Sequence, residues 1–208
     1  MDERSTIAWL HRRFGFGLSG AELDAAVERG LDAEVDRLLD PGASGVPEPP
    51  DAWRDLVFED TNDATGTRRQ LVQAVDAWLE RMRTTPRPLE ERVTWMWHDH
   101  FATSIVGVKR VALMVGQLRT IQRLGMGSFP ALVRAMTIDP AMLLWLDGDE
   151  STGRNPNENY GRELLELFTV GIGNHTEDDV KGAARALTGW RVDRSKGTTR
   201  FVPRRHTG

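Results

Sequence analysis

The 208-residue chain has no cysteine, which excludes disulfide bridges, thiolate metal sites and a cysteine nucleophile. That absence suits a reducing cytosol and equally a secreted protein that does without bridges. No stretch approaches the roughly 20 consecutive apolar residues that a membrane-spanning helix needs. Residues 1–15 interleave Asp2, Glu3, Arg4, His11, Arg12 and Arg13 with apolar positions, so no signal-peptide core is visible and the expected location is cytoplasmic. An excess of positive charge is missing as well: 27 Lys and Arg stand against 31 Asp and Glu, for a net charge of −4. Because phosphate contacts dominate affinity for nucleic acid, and Arg204 and Arg205 form only an isolated pair, nucleic acid is not an expected partner.

Several catalytic signatures are also missing. The chain has no H-E-x-x-H, no glycine-rich phosphate loop with lysine and no G-x-S-x-G. A di-iron bundle would require Glu-x-x-His pairs on separate helices, whereas Glu163 is followed three residues later by Glu166. Long runs of alternating β-branched residues are absent, and residues 198–202 are the one candidate strand.

What is present is a helical pattern. Hydrophobic residues make up 39% of the chain and charged residues 28%, enough apolar surface to fold. Ser19 and Glu22 have capping-box spacing, as have Thr176 and Asp179, and Asp139-Pro140 reads as a cap followed by a first-turn proline. Residues 67–83 place Leu71, Val72, Val75, Trp78, Leu79 and Met82 at spacings of three and four, which predicts one amphipathic helix. Further helices are predicted over 7–14, 32–39, from Pro88 to about Phe101, and over 107–124, 128–136, 140–146, 156–170 and 176–190. Asn155 is read as the cap of the helix over 156–170 and Gly171 as its stop. The expected fold is therefore all-α, an irregular multi-helix bundle with at most one short C-terminal strand or hairpin. Residues 1–208 form one helical domain in this reading, with 41–50 as an internal Pro/Gly linker.

Two constellations can carry chemistry. The first is Trp97-His98-Asp99-His100, in which either imidazole can act as acid, base or metal ligand. On a helix the two rings lie about 200° apart, so spacing does not favour a shared metal, and one satisfied histidine with one surface histidine is the plainer outcome. The second is the polar face of the helix over 156–170, carrying Glu158, Asn159, Arg162, Glu163 and Glu166. Successive i, i+4 spacing of Glu158, Arg162 and Glu166 suits a solvated face with weak ion pairs. The same face lining a cleft would let Arg162 hold one carboxylate charged while another keeps a raised pKa suited to proton transfer.

The strings Trp97-His98-Asp99-His100-Phe101-Ala102-Thr103, Asp139-Pro140-Ala141-Met142-Leu143, Asn155-Pro156-Asn157-Glu158-Asn159-Tyr160, Arg162-Glu163-Leu164-Leu165-Glu166-Leu167-Phe168-Thr169 and Ala184-Arg185-Ala186-Leu187-Thr188-Gly189-Trp190 together resemble the bacterial family called domain of unknown function 1800. An opening segment, Leu10-His11-Arg12-Arg13-Phe14-Gly15-Phe16-Gly17, is similar as well. The resemblance brings no assigned reaction. It implies that the chain corresponds to the N-terminal portion of a longer architecture, since Arg205-His206-Thr207-Gly208 matches a His-Asp-x-Gly-like segment only in part. A chain lacking its usual core partners is expected to expose apolar surface and to self-associate. Relatives often carry export signals, and Gly161 stands where they commonly have alanine.

Two functions follow from this reading. One is a hydrolase-like enzyme, acid-base or metal-assisted, with His98, Glu163 and Glu166 as catalytic groups and Asn157, Glu158, Asn159 and Arg162 as ligand-binding groups. In its metal-assisted form a divalent metal is held by His98 or His100 with a carboxylate. The alternative is a non-catalytic helical module that binds a protein partner and uses its motif residues as caps and buried polar ties. A cleft uniting both constellations favours the enzyme, and separate placement beside exposed aromatics such as Trp53 and Trp78 favours the module.

Overall fold

In the computed structural model, residues 2–39, 48–56 and 64–206 are described. The first part of the expected linker, 41–47, lies outside the described residues, as do Thr207 and Gly208. Three short helices open the fold: α1 (Glu3–Phe14), α2 (Gly20–Arg29) and α3 (Leu31–Leu39). Ser19 and Glu22 close the capping box that starts α2, because each side chain satisfies a backbone N–H at the helix entrance. After α4 (Asp51–Arg54), the helices α5 (Ala64–Thr84), α6 (Pro88–Phe101), α7 (Ile105–Val108) and α8 (Val111–Leu124) build one half of the bundle. The remainder comprises α9 (Phe129–Thr137), α10 (Pro140–Trp145), α11 (Glu158–Glu166) and α12 (Glu177–Ala186), then strands β1 (Trp190–Asp193) and β2 (Thr198–Phe201).

Helix α8 lies at the centre. Val111, Val115 and Leu118 pack with Trp53 and Ala74, whereas Ile121 joins Phe101, Leu132, Met136, Met142, Leu143, Tyr160 and Phe168 in the larger core. Burial of each large apolar side chain stabilises the fold by about 1.5–3 kcal/mol, so the helix feeding both clusters organises the packing.

The structure departs from the periodic reading in four places. The helix expected over 107–124 is two helices, because Lys109 adopts a left-handed conformation, φ 59°, and ends α7. Gly107 lies so close to the Trp145 ring that an added Cβ would come within 2.4 Å of it. On α5, Leu71, Ala77 and Trp78 pack against the second cluster, but Val72, Val75 and Leu79 are exposed. The apolar stripe is wider than the face its neighbours cover. Helix α11 starts at Glu158 with Asn157 as its cap, two residues later than expected, because Asn155 is paired with Thr152 in an isolated bridge. It ends at Glu166 in a widened turn, where the N–H groups of Val170 and Gly171 both donate to the carbonyl of Leu165 at 3.0 Å.

The last helix also stops short of Trp190. Gly189, with φ 89°, turns the chain, and Trp190 opens an antiparallel hairpin in the register Trp190↔Phe201 and Val192↔Thr199. Trp190 and Val192 pack on the larger core. The single C-terminal strand expected from sequence is thus one arm of the hairpin.

Helices α11 and α12 approach closely at Gly161. A Cβ there would stand 2.8 Å from the carbonyl oxygen of Val180 and 2.9 Å from the nitrogen of Ala184, both rigid backbone atoms. Alanine raises intrinsic helix propensity by roughly 1 kcal/mol over glycine, but forcing the helices apart costs typically about 1–3 kcal/mol. The clash outweighs the propensity gain, so Gly161→Ala is expected to lower stability by about 1 kcal/mol net. Urea unfolding checks this, and a raised midpoint would show that α12 yields freely.

Candidate functional site

The polar side chains of α11 are held in distinct ways. Asn157 accepts from the N–H of Tyr160 at 2.9 Å as helix cap, and its amide donates to the carbonyls of Leu146 at 2.8 Å and Asp147 at 3.2 Å. All of this joins α11 to the end of α10. Glu158 and Asn159 are exposed. Arg162 donates twice to Glu177 of α12, at 2.9 and 2.7 Å, and stands 3.5 Å from Glu166 one turn along its own helix. That bidentate grip keeps the Glu177 carboxyl below its usual range, chiefly through the hydrogen bonds from Arg162. Glu163 is half-buried.

Glu166 also meets a residue that the sequence reading missed. His175, in the loop between α11 and α12, places Nε2 3.5 Å from its Oε1, with the imidazole side chain only 8% exposed. His175 Nδ1 is buried and has no hydrogen-bond partner among the described residues. The one signal in sequence was position, immediately before the Thr176–Asp179 capping box.

The two histidines of α6 diverge. The His98 ring packs edge-on against Trp78 of α5, 5.7 Å between centroids. Burial pushes its pKa below the ordinary imidazole value, with Asp99 pulling weakly the other way, so the neutral form is favoured. His100 instead lies among Trp97, Phe101, Phe129 and Phe168, and its Nε2 is 3.2 Å from the carbonyl oxygen of Phe168. Because a carbonyl only accepts, Nε2 carries the proton. His100 therefore reaches the end of α11 through the main chain, and His98 faces another helix. Among the described residues no group of three His, Asp or Glu side chains is arranged to hold a metal ion.

A buried and fully bonded carboxylate lies elsewhere in the bundle. Glu91, 1% exposed, accepts from Trp78 Nε1 at 3.1 Å, from Gln122 Nε2 at 3.0 Å and from Arg81 Nε. One side chain of α6 thereby ties α5 to α8. A second buried chain runs from the Thr103 hydroxyl to Gln117, and from Gln117 Nε2 to Asp139 at 2.9 Å. Asp139 also caps α10 through the N–H groups of Ala141 and Met142. Burial pushes the Asp139 carboxyl up to about 6, against the opposing pull of those hydrogen bonds.

Cavities of about 310, 360 and 800 Å³ are lined by other residues. None of His98, His100, Asn157, Glu158, Asn159, Arg162, Glu163 or Glu166 borders these three. No helix among the described residues is long and apolar enough to cross a membrane.

These features define the class: among the described residues, a mostly helical bundle of twelve α-helices with one C-terminal hairpin, in which Asp139, Asn157 and Thr176 cap helices and Arg162 ties α11 to α12. Within that class the chain belongs to the family described as protein of unknown function (DUF1800), which matches residues 9–208. No curated protein and no solved structure matches it.

Two tests follow from the buried carboxylates. Glu91→Ala strands the guanidinium of Arg81, whose side chain is 15% exposed, and is expected to cost about 3–5 kcal/mol; Arg162→Ala, at a more exposed pair, should lower the melting temperature much less. Equal shifts would refute the ranking. The folded Asp139 carboxyl binds its proton more tightly than the unfolded one, so its contribution is full below pH 3.8 and is lost as pH rises through about 6. The stability difference between the parent and Asp139→Asn should therefore fall across that window, by at most about 3 kcal/mol. A pH-independent difference would mean that Asp139 titrates normally.

Proposed function

We propose that the chain is a helical protein-interaction module, with a docking surface formed where the end of α1 meets α6. The observation that carries this reading is a group of exposed large side chains, Trp9 at 46%, Phe14 at 41%, Trp95 at 47% and Met96 at 52%. Phe16 stacks on Trp95 at 6.3 Å, and the Arg92 guanidinium lies 5.1 Å from the Trp95 ring centroid and 5.8 Å from that of Phe16. Arg92, Trp95, Met96 and Asp99 border the cavity of about 360 Å³. An exposed Trp and a half-buried Arg beside a concavity have the composition of binding hot spots, and a methionine adapts to varied apolar partners.

Trp53 and Trp78, the aromatics that sequence suggested for such a surface, are buried and half-buried in the second core cluster instead. The occupant is a partner segment with apolar anchors flanked by carboxylates, since Arg12 and Arg13 are exposed next to Phe14 and Arg92 borders the cavity. Displayed-peptide selection on the immobilised protein should return apolar, acidic segments whose binding weakens at least about tenfold in Trp95→Ala and in Arg92→Gln, while both variants keep the parent's helical spectrum. Binders indifferent to both changes would refute the surface.

A second reading, the hydrolase-like enzyme, is supported by the contact between Glu166 and His175, an imidazole beside a carboxylate that a guanidinium also approaches. In this reading Glu166 and Glu163 share the acid-base work, and Arg162, Asn157, Glu158 and Asn159 bind the substrate. The metal-assisted form, with His98 or His100 beside a carboxylate, has no comparable contact in its favour. Metal analysis of the parent and of Glu166→Gln separates the metal-assisted form from the module, which holds no metal in either protein.

A further inference from the structure

Outside both of these surfaces, we propose that the cavity enclosed by α1, α2, α3 and the start of α6 is a binding site for a small organic oxyanion, a carboxylate or a phosphate carrying an apolar body, gripped by Arg29 and Arg37. The cavity has a volume of about 310 Å³, at the lower end of the range for small-molecule sites. Leu18, Leu38 and Pro86 supply apolar wall, and His11, Arg29 and Arg37 supply polar wall.

The two guanidinium groups are positioned from behind by one carboxylate. Glu34 is fully buried and accepts from His11 Nε2 at 2.8 Å, from Arg29 Nε at 2.5 Å and from Arg37 Nη1 at 3.1 Å. Burial raises its pKa, but these bonds outweigh burial and hold it below the ordinary value, so it stays an acceptor. An arginine has five N–H donors. Arg29 uses only Nε and Arg37 only Nη1, which leaves both Nη groups of Arg29, and Nη2 and Nε of Arg37, without a protein acceptor among the described residues. Their side chains are 40% and 59% exposed, while the carboxylate that organises them is not. Glu34 acts as a positioning residue: it fixes two forks whose remaining donors are open to an acceptor.

Glu22 borders the same cavity, but its Oε2 accepts from the Ser19 N–H at 2.7 Å in the capping box and is committed to the start of α2. Around the cavity the formal charges of Arg29 and Arg37 are balanced by those of Glu22 and Glu34. Selectivity for an oxyanion then rests on the unfilled N–H donors, which match carboxylate and phosphate geometry, and the apolar wall favours a ligand with a hydrophobic body.

The test titrates the whole chain with inorganic phosphate and with benzoate at fixed ionic strength, following heat of binding and melting temperature. At least one probe should bind and raise the melting temperature by mass action. Arg37→Gln, which leaves Glu34 its bonds to Arg29 and His11, should weaken that binding at least about tenfold, and Arg37→Lys, which keeps the charge but not the fork, should restore only part of it. Tighter binding of benzoate assigns an organic carboxylate, and tighter binding of phosphate a phosphate ester. Absence of binding by both probes, or binding that Arg37→Gln leaves unchanged in a folded protein, would overturn the proposal.

Discussion

The carboxylate of Glu91 stands where α5, α6 and α8 meet, and its bonds to Trp78, Arg81 and Gln122 set the relation of those three helices. A buried charge without partners is far more costly than an exposed one, so this carboxylate admits only arrangements that deliver all its donors together. Helix α8 is thereby oriented with Val115 and Leu118 toward Trp53 and with Ile121 toward Phe101. Gln117 of the same helix carries a separate polar chain from Thr103 to Asp139. The two apolar clusters are thus aligned by polar contacts that apolar packing alone would leave free to slide.

The same logic recurs at each end of the molecule. Glu34 gathers α1, α2 and α3 through His11, Arg29 and Arg37, and Arg162 joins α11 to α12 through Glu177. These ties differ in exposure, and the difference separates their uses. Glu91 is enclosed and saturated, so it is structural. Glu34 is enclosed, but the arginines it holds face a cavity with donors to spare. Arg162 and Glu166 sit near solvent, next to a buried histidine. On the same α1 and α6 that carry His11 and Glu91, Trp9, Phe14, Trp95 and Met96 remain uncovered.

Much of the helical organisation was legible because it rests on local bonds. Ser19 with Glu22, Thr176 with Asp179, and Asp139 before Pro140 all cap helices as their spacing indicates; each bond closes within three residues. The candidate site was less legible. The paired histidines looked like one unit in sequence, yet His98 turns to Trp78 and His100 to the carbonyl of Phe168, because a helix separates neighbours two residues apart. His175 carried no pattern of its own, and the convergence of donors on Glu34 and Glu91 was invisible, since one donor lies 23 residues away in His11 and another 31 away in Gln122.

By itself the sequence determined that the chain is helical, bridge-free and a member of its family, since period, caps and ordered motif blocks are properties of neighbouring residues. Tertiary structure decided which apolar positions are covered. On α5, Trp78 is packed while Val72, Val75 and Leu79 stay exposed, although all four obey the same spacing. It also decided that Gly161 must lack a side chain, because the backbone of α12 passes within 2.8 Å of where one would stand. Both outcomes depend on how far another helix lies from a given residue, a distance set by the packing of the whole bundle and encoded in no single segment.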